Sequence, residues 1–308
     1  MRILYFGDPR AALALLESMS KHIQLCGIVH GRSGGEGAKK LGTALRKDRN
    51  RSIPRWRLPN LSDSEVVKEI AKSQPDLIVS VFYPRLIPIS ILELAPGVNV
   101  HPSALPKWRG PDPAFWVIAQ QELETAITIH RLSDQLDEGN IIYQEKVKVR
   151  PRESGGALAV RLERQAAQVM VDYLLTLAMN WKSVGILEGK AQIGEASWAP
   201  LMDPDELEVD WNKSVLEVDA FVRASAPDPC AFSGLGRELM VIHRGQVAKL
   251  SRPFSEAELN TMPIGQALIE NQNCVIRCGQ GFYQLDEVTI GRRRVKGKQL
   301  AQLLSGLN

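Results

Sequence analysis

The sequence predicts an α/β protein in which a doubly wound, largely parallel sheet is followed by a smaller β-rich, barrel-like domain. Three observations carry that expectation. Between Arg2 and His101, apolar runs of strand length alternate with helical patterns, as expected of parallel strands joined by crossover helices. From about Ala199 onward the texture changes to short β runs separated by glycine and polar turns, the pattern of a small barrel. The length of 308 residues suits two domains of roughly 100–200 residues each, and the change of texture divides them as 1–200 and 201–308.

Taken in order, Arg2–Phe6 (RILYF) reads as a buried strand and Ala11–Met19 as a helix. Ile23–His30 is a second apolar strand, after which Gly31–Gly37 forms a glycine-rich loop running into Lys39 and Lys40. Ser62–Glu65 opens a helix that continues through Val66–Ala71 until Pro75-Asp76 breaks it, and Leu77–Val81 is the next strand. Gly97–His101 follows, and Thr125–Leu132 and Ile141–Val149 alternate in a way that suits antiparallel pairing. A long helix over 154–179 places Leu158, Leu162, Ala166, Val169, Tyr173 and Leu177 near one face. In the second domain a helix at Ser214–Ala224 precedes strands near Leu239–His243, Ile264–Glu270, Cys274–Arg277 and Phe282–Val288.

Composition narrows the function classes. A chain that is 44% hydrophobic and 24% charged is folded, and no window approaches the ~18 apolar residues of a membrane helix. A soluble, cytoplasmic protein without a membrane partner is expected. Cys26, Cys230, Cys274 and Cys278 are too few and too scattered for a disulfide framework, and no second pair completes a zinc site around Cys274 and Cys278; no metal is expected. A net charge of +3 permits an anionic partner without demanding one. The turn Gly7-Asp8-Pro9-Arg10 lacks the G-x-G-x-x-G that brings backbone to a pyrophosphate, and Gly31–Gly37 lacks the ending of a nucleotide-triphosphate loop. Nicotinamide-dependent redox chemistry is therefore disfavoured.

The dense polar cluster is Asn99-Val100-His101-Pro102-Ser103, at the carboxyl end of a strand where open α/β sheets place ligands. Strand alternation puts Asn99 and His101 on one face. An amide donor beside an imidazole suits stabilisation of an oxyanion and movement of a proton. Asp137, in the turn Leu136-Asp137-Glu138-Gly139, is the acid available to orient that imidazole; an Asx-type turn former is the alternative reading of the same residue.

These residues stand in two longer runs, NVHPSALPKWRG at 99–110 and IHRLSDQLDEGNII at 129–142. Together they resemble the formyltetrahydrofolate-dependent formyltransferases of methionyl-tRNA formyltransferase type, and the likeness extends over nearly the whole chain. The resemblance implies a Rossmann-like catalytic domain, 10-formyltetrahydrofolate as co-substrate, no metal, and Asn99, His101 and Asp137 as the catalytic residues. It further implies a folate pocket at Phe82, Tyr83, Pro84, Leu86 and Ile87 on one side and Ser133, Gln135 and Leu136 on the other. Arg10, Ser103, Arg109 and Asp112 are its substrate-binding candidates.

The departures from the family pattern bear on the acceptor. Ser103-Ala104-Leu105-Pro106 has lost apolar bulk relative to the usual Ser-Leu-Leu-Pro. Asp112, in Gly110-Pro111-Asp112-Pro113-Ala114-Phe115-Trp116, stands where tRNA-directed members carry a small apolar residue; an Asp-Pro followed by Phe-Trp resembles members acting on sugars, free amines or carrier-bound aminoacyl groups, and a helix N-cap is the alternative reading of the same residue. Glu36 lies in the place of the tRNA-engaging loop, although Arg32, Lys39 and Lys40 remain, and Arg292, Arg293, Arg294, Lys296 and Lys298 form a basic cluster near the end of the chain. The expected acceptor is a primary amine, with a small amine, an amino sugar or a carrier-bound aminoacyl group slightly favoured over initiator tRNA. A binding protein that keeps the fold without turnover is the competing class.

Overall fold

The computed structural model describes residues 1–18, 23–31, 36–46, 52–184, 188–235 and 238–305. Two compact units emerge, one of Met1–Pro113, Thr125–Lys148 and Val160–Ala199, the other of Ala114–Glu124, Val149–Ala159 and Pro200–Asn308.

The first unit is built on a seven-stranded sheet. Its strands are β1 (Arg2–Gly7), β2 (Gln24–His30), β3 (Arg55–Arg57), β4 (Leu77–Val81), β5 (Gly97–His101), β6 (Glu124–Arg131) and β7 (Ile141–Lys148), in the spatial order β3-β2-β1-β4-β5-β6-β7. The pairs from β3 to β5 are parallel and β5 pairs antiparallel with β6. All five residues of β4 are buried, as in strands covered on both faces. A core containing Leu4, Phe6, Val29, Ile70, Ile78 and Ile91 packs under the sheet. Where β1 ends, Gly7 has a φ of +143°, and a Cβ there would lie 1.9 Å from the Val81 carbonyl oxygen of β4. Only glycine lets the two strands finish side by side.

The helices α1 (Pro9–Ser18), α3 (Ser64–Ala71) and α6 (Gly155–Val184) match the sequence pattern. Asp63 caps α3, accepting from the Glu65 N–H at 2.9 Å. On α6 the buried line runs Leu158, Leu162, Ala166, Met170, Leu174 and Leu177; Val169 and Tyr173 sit at its margin, because successive four-residue steps follow a line around the helix. A correction concerns the glycine-rich loop: Glu36 and Gly37 open a helix, α2 (Glu36–Ala44). Arg32 lies outside the described residues. The short α4 (Ile89–Leu92) follows β4, and α5 (Pro113–Ala119) begins directly after Asp112.

The second unit holds a six-stranded antiparallel sheet of β8 (Phe232–Leu235), β9 (Glu238–Val247), β10 (Ala267–Glu270), β11 (Asn273–Arg277), β12 (Phe282–Ile290) and β13 (Arg293–Lys296). Its path is β10-β11-β12-β9-β8, with β13 on β12. The helices α7 (Val215–Ser225), α8 (Glu256–Thr261) and α9 (Gly297–Ser305) complete it. Its core includes Val218, Val222, Ile242, Tyr283, Leu285 and Leu300. Cys274 and Cys278 are buried in that core, and burial pushes both thiols up to about 12. Among the described residues, no helix is long and apolar enough to cross a membrane.

Candidate active site

The site is built on one face of β5 and β6. Directly opposed residues of an antiparallel pair share a face, and the register sets Asn99 against His130 and His101 against Thr128. Four polar side chains are thereby grouped in strands whose other residues are mostly apolar and buried. The turn between β6 and β7 brings the Asp137 carboxylate to the same group: Oδ2 lies 3.5 Å from His101 Nδ1, and Oδ1 lies 3.4 Å from His130 Nε2. The Gly110 N–H donates to Oδ2 at 2.9 Å, and Asn99 Nδ2 reaches Oδ1 at 3.5 Å. The structure thus unites Asn99, His101 and Asp137, which sequence reasoning selected, with His130, which it passed over.

The far nitrogen of each ring is held by a carbonyl. His101 Nε2 meets the Trp108 oxygen at 2.8 Å, and His130 Nδ1 meets the Arg131 oxygen at 2.8 Å. A carbonyl only accepts, so these nitrogens carry the protons and, in the neutral rings, the nitrogens facing Asp137 are bare. Asn99 Nδ2 donates to the bare His130 Nε2 at 3.1 Å.

Burial lowers the His101 value despite the opposing pull of Asp137, so the ring is neutral at neutral pH. Burial works against ionisation of Asp137, but the His130 contact, the pull of the two imidazoles in their protonated form and the Gly110 N–H outweigh it and hold the carboxyl below its ordinary value. A neutral imidazole with a lone pair beside a carboxylate can take up a proton and have the resulting cation stabilised.

The sign of the pH dependence follows. Folded His101 binds fewer protons than unfolded His101, so stability falls as pH drops below the unfolded value of 6.5. The Asp137 contribution is present above its unfolded value of 3.8 and is lost at lower pH still, as the folded value is crossed. Thermal melts between pH 7 and 5 should therefore show a decline that is shallower in His101→Gln; an equal slope in both proteins would remove His101 as its source.

The remaining expected site residues are placed as follows. Ser103 is fully buried; its hydroxyl donates to the Lys107 oxygen at 2.7 Å and its carbonyl accepts from Thr128 Oγ1 at 2.6 Å, so it closes its own loop. The Arg109 guanidinium is held by Glu138 Oε1 at 2.8 Å and by Gln192 Oε1. Arg10 is exposed and pairs with Asp8 at 3.1 Å and Glu163 at 3.2 Å. Asp112 is half-buried, and its backbone N–H donates to the Ala199 oxygen at 3.1 Å. After β4, Phe82 has a φ of +54° and Tyr83 packs edge-on against Phe6 at 5.3 Å. Pro84 and Leu86 are exposed, whereas Ile87 is buried in the core. Ser133 Oγ donates to the Gln135 oxygen at 2.9 Å, and Gln135 and Leu136 are exposed.

Sequence reasoning missed two participants. His130 was detectable, since Thr128 and His130 repeat on β6 the i, i+2 polar pattern of Asn99 and His101 on β5. Gln192 had no such signal: it lies in an irregular segment far along the chain from both motifs.

The family profile described as formyl transferase matches residues 2–174, and the one described as formyl transferase, C-terminal domain, matches residues 201–304. The chain belongs to the formyl transferase family. It is thus an enzyme of formyl transfer, and the Asn99, His101 and Asp137 cluster lies within the part matched by the first profile. Among its relatives, the methionyl-tRNA formyltransferase of Alkaliphilus oremlandii is 31% identical over 311 residues, covering 96% of this chain and 94% of that protein. The methionyl-tRNA formyltransferase of Marinobacter nauticus is 29% identical and covers 81% of each. The fold is shared with an N-formyltransferase from Helicobacter canadensis solved with folinic acid and dTDP-3-aminofucose (TM-score 0.65, 14% identity, 93% of this chain and 99% of that one). It is also shared with HypX from Aquifex aeolicus solved with tetrahydrofolic acid (TM-score 0.58, 17% identity, 97% of this chain). The chain spans about half of HypX, 46% of its length.

Proposed function

We propose that the protein transfers a formyl group from 10-formyltetrahydrofolate to a primary amine, and that Asn99, His101 and Asp137 carry the reaction. The observation behind this reading is the convergence of those three side chains on one sheet face in a member of the formyl transferase family.

The residues present fit a reduced folate. Leu86 and Leu136 are apolar side chains exposed at 55% and 43% on the two segments expected to flank it, and the Tyr83 hydroxyl is buried without a partner among the described residues. Apolar walls with a few polar groups suit a flat heterocycle. Phe82, Tyr83, Pro84 and Leu86 would hold it on one side, and Ser133, Gln135 and Leu136 on the other. The folate supplies the formyl carbon. Asn99 Nδ2 and His101 Nε2–H, held on His130 and on the Trp108 carbonyl in the free protein, are the donors that would stabilise the oxyanion developing on the formyl group. His101 Nδ1 faces Asp137, whose carboxylate would hold the ring and stabilise the proton taken from the attacking amine until the formyl C–N bond to the folate breaks and that proton passes to the departing folate nitrogen. The chain's four cysteines are free thiols, which accords with a cytoplasmic reaction.

For the acceptor, the reading favours a small amine, an amino sugar or a carrier-bound aminoacyl group. Asp112 puts a carboxylate at the start of α5, beside the Arg109 loop, where it can pair with an ammonium group before transfer. Methionyl-tRNA is the second reading, favoured by the relatives above and by the exposed basic residues Arg292, Arg293 and Lys296 around β13. Within that cluster Arg294 is already paired with Glu287 at 2.8 Å, which holds the Glu287 carboxyl below its usual value and weakens the patch as a phosphate site.

The experiment is a formyl-transfer assay offering amino sugars, aminoacyl thioesters and charged initiator tRNA in parallel at several salt concentrations. A non-tRNA acceptor should show little salt dependence, and Asp112→Ala should raise its Michaelis constant. Efficient formylation of methionyl-tRNA, falling steeply with salt and unaffected by Asp112→Ala, would transfer the assignment to tRNA.

A further inference from the structure

Two loops frame the proposed chemistry, 102–112 after β5 and 132–140 between β6 and β7, and a third segment, 188–199, is bonded to both. To the first loop it adds a short ladder. The Arg109 N–H donates to the Ser197 oxygen at 2.9 Å, the Ala199 N–H returns to the Arg109 oxygen at 2.7 Å, and the Trp108 N–H donates to Ser197 Oγ at 2.9 Å. To the second it adds a reciprocal pair between Lys190 and Ile141, 2.7 Å in both directions. Gln192 joins the two. Its Nε2 donates to the carbonyl oxygens of Asp137 at 2.7 Å and Gly139 at 2.9 Å, and its Oε1 accepts from Arg109 Nη2 at 2.8 Å and Nε at 3.2 Å.

Every hydrogen-bonding capacity of one carboxamide is used. Both donors go to the backbone that flanks the Asp137 carboxylate, and the acceptor goes to the loop whose Gly110 N–H binds that carboxylate. Asp137 has a φ of +55°, a left-handed conformation that a side-chain-bearing residue keeps only when its surroundings impose it. Its own side-chain contacts to the two imidazoles are long, 3.4 and 3.5 Å, so they do not fix the turn by themselves.

We propose that Gln192 is a positioning residue for formyl transfer: by bonding the Asp137 turn on one side and Arg109 on the other, it sets where the Asp137 carboxylate stands relative to His101. This rests on the reading of Asp137 as the partner of His101. The chemistry admits no simple replacement. Glutamate at 192 keeps the acceptor for Arg109 but sets an oxygen against two carbonyl oxygens, and methionine keeps the length while removing all four bonds.

The test compares the wild-type protein with Gln192→Met, Gln192→Glu and Asp137→Asn. Two measurements are made: steady-state transfer with the best acceptor, and titration of the His101 imidazole by nitrogen NMR, its resonance assigned with His101→Gln. The groups facing that imidazole are Asp137, His130 and the Trp108 carbonyl. Both Gln192 variants should lower kcat by about 30-fold or more and leave KM for the reduced folate within about twofold, as expected when orientation rather than binding is lost. In Gln192→Met the His101 titration should move to lower pH, because Asp137 no longer supports the cation. A merely structural residue would lower the melting temperature and move neither readout at temperatures well below it; that result overturns the proposal. Should Gln192→Met fail to fold, Gln192→Glu retains both its volume and its Arg109 contact, and unchanged kcat in that variant is equally decisive. Near-wild-type transfer by Asp137→Asn would bring down the reading of the catalytic cluster, and the Gln192 role with it. An inactive Asp137→Asn beside a fully active Gln192→Glu would bring down the Gln192 role alone.

Discussion

Replacing His101 or Asn99 by alanine should reduce kcat by about 100-fold or more while leaving reduced-folate affinity within a few-fold. Losing one donor to a developing oxyanion typically costs ~3–4 kcal/mol of barrier, and the loss falls on the transition state because both groups are occupied by protein partners beforehand: His101 Nε2 by the Trp108 carbonyl, Asn99 Nδ2 by His130. Asn99→Ala has a second effect. It removes the amide that links His130 to Asp137, so the double variant His101→Ala with Asn99→Ala should be far from additive. Calorimetry with tetrahydrofolate and single-turnover transfer separate binding from chemistry. Either single variant turning over within a few-fold of wild type would end the assignment of that residue.

Gly139→Ala should be nearly as damaging, although residue 139 takes no part in chemistry. A Cβ at that position would lie 1.9 Å from the Arg131 carbonyl oxygen and 2.8 Å from its carbon. Both are backbone atoms at the end of β6, so no rotamer change relieves the clash, and the β6–β7 turn must open. Opening moves the Gly139 carbonyl off Gln192 and carries Asp137 away from His101. Strain of this kind commonly costs about 1–3 kcal/mol of stability, and misplacement by an ångström can cost ~100-fold in rate. Melting curves and kcat should fall together; a Gly139→Ala protein with wild-type kcat would mean that the turn does not set the carboxylate.

The sequence was most legible where one physical signal dominated. The apolar runs of β1, β2, β4 and β5 read as buried strands because their residues are covered by helices, and the alternation of β6 separated it from them. Elements were missed where the signal was short or masked. β3 is three residues, Arg55, Trp56 and Arg57, of which only Trp56 is buried. β13 buries only Val295 among basic neighbours, so its strand character was hidden behind a charge run. α5 was legible only at its start, as the helix that Asp112 would cap with Pro113 in its first position. In the site, Asn99 and His101 could be read from local alternation and Asp137 from its turn together with the motif. His130 needed the β5–β6 register, and Gln192 needed tertiary structure, since nothing in a span of 188–199 without regular secondary structure announces a partner more than fifty residues earlier.

The segment 188–199, a strap bonded to both site loops, has a consequence for recombining modules of this family. The amino-terminal family match ends at residue 174, which makes that point the natural crossover for exchanging carboxyl-terminal halves between relatives. A chimera joined there would inherit Asn99, His101, His130 and Asp137 from one parent and the residues at 190, 192, 197 and 199 that bond their loops from the other. Loop and strap would then come from different lineages, and a mismatch would read as lost turnover although every reacting residue is intact. A crossover placed after Ala199 keeps both within one lineage, so that a change of carboxyl-terminal half leaves the bonds around the Asp137 turn intact.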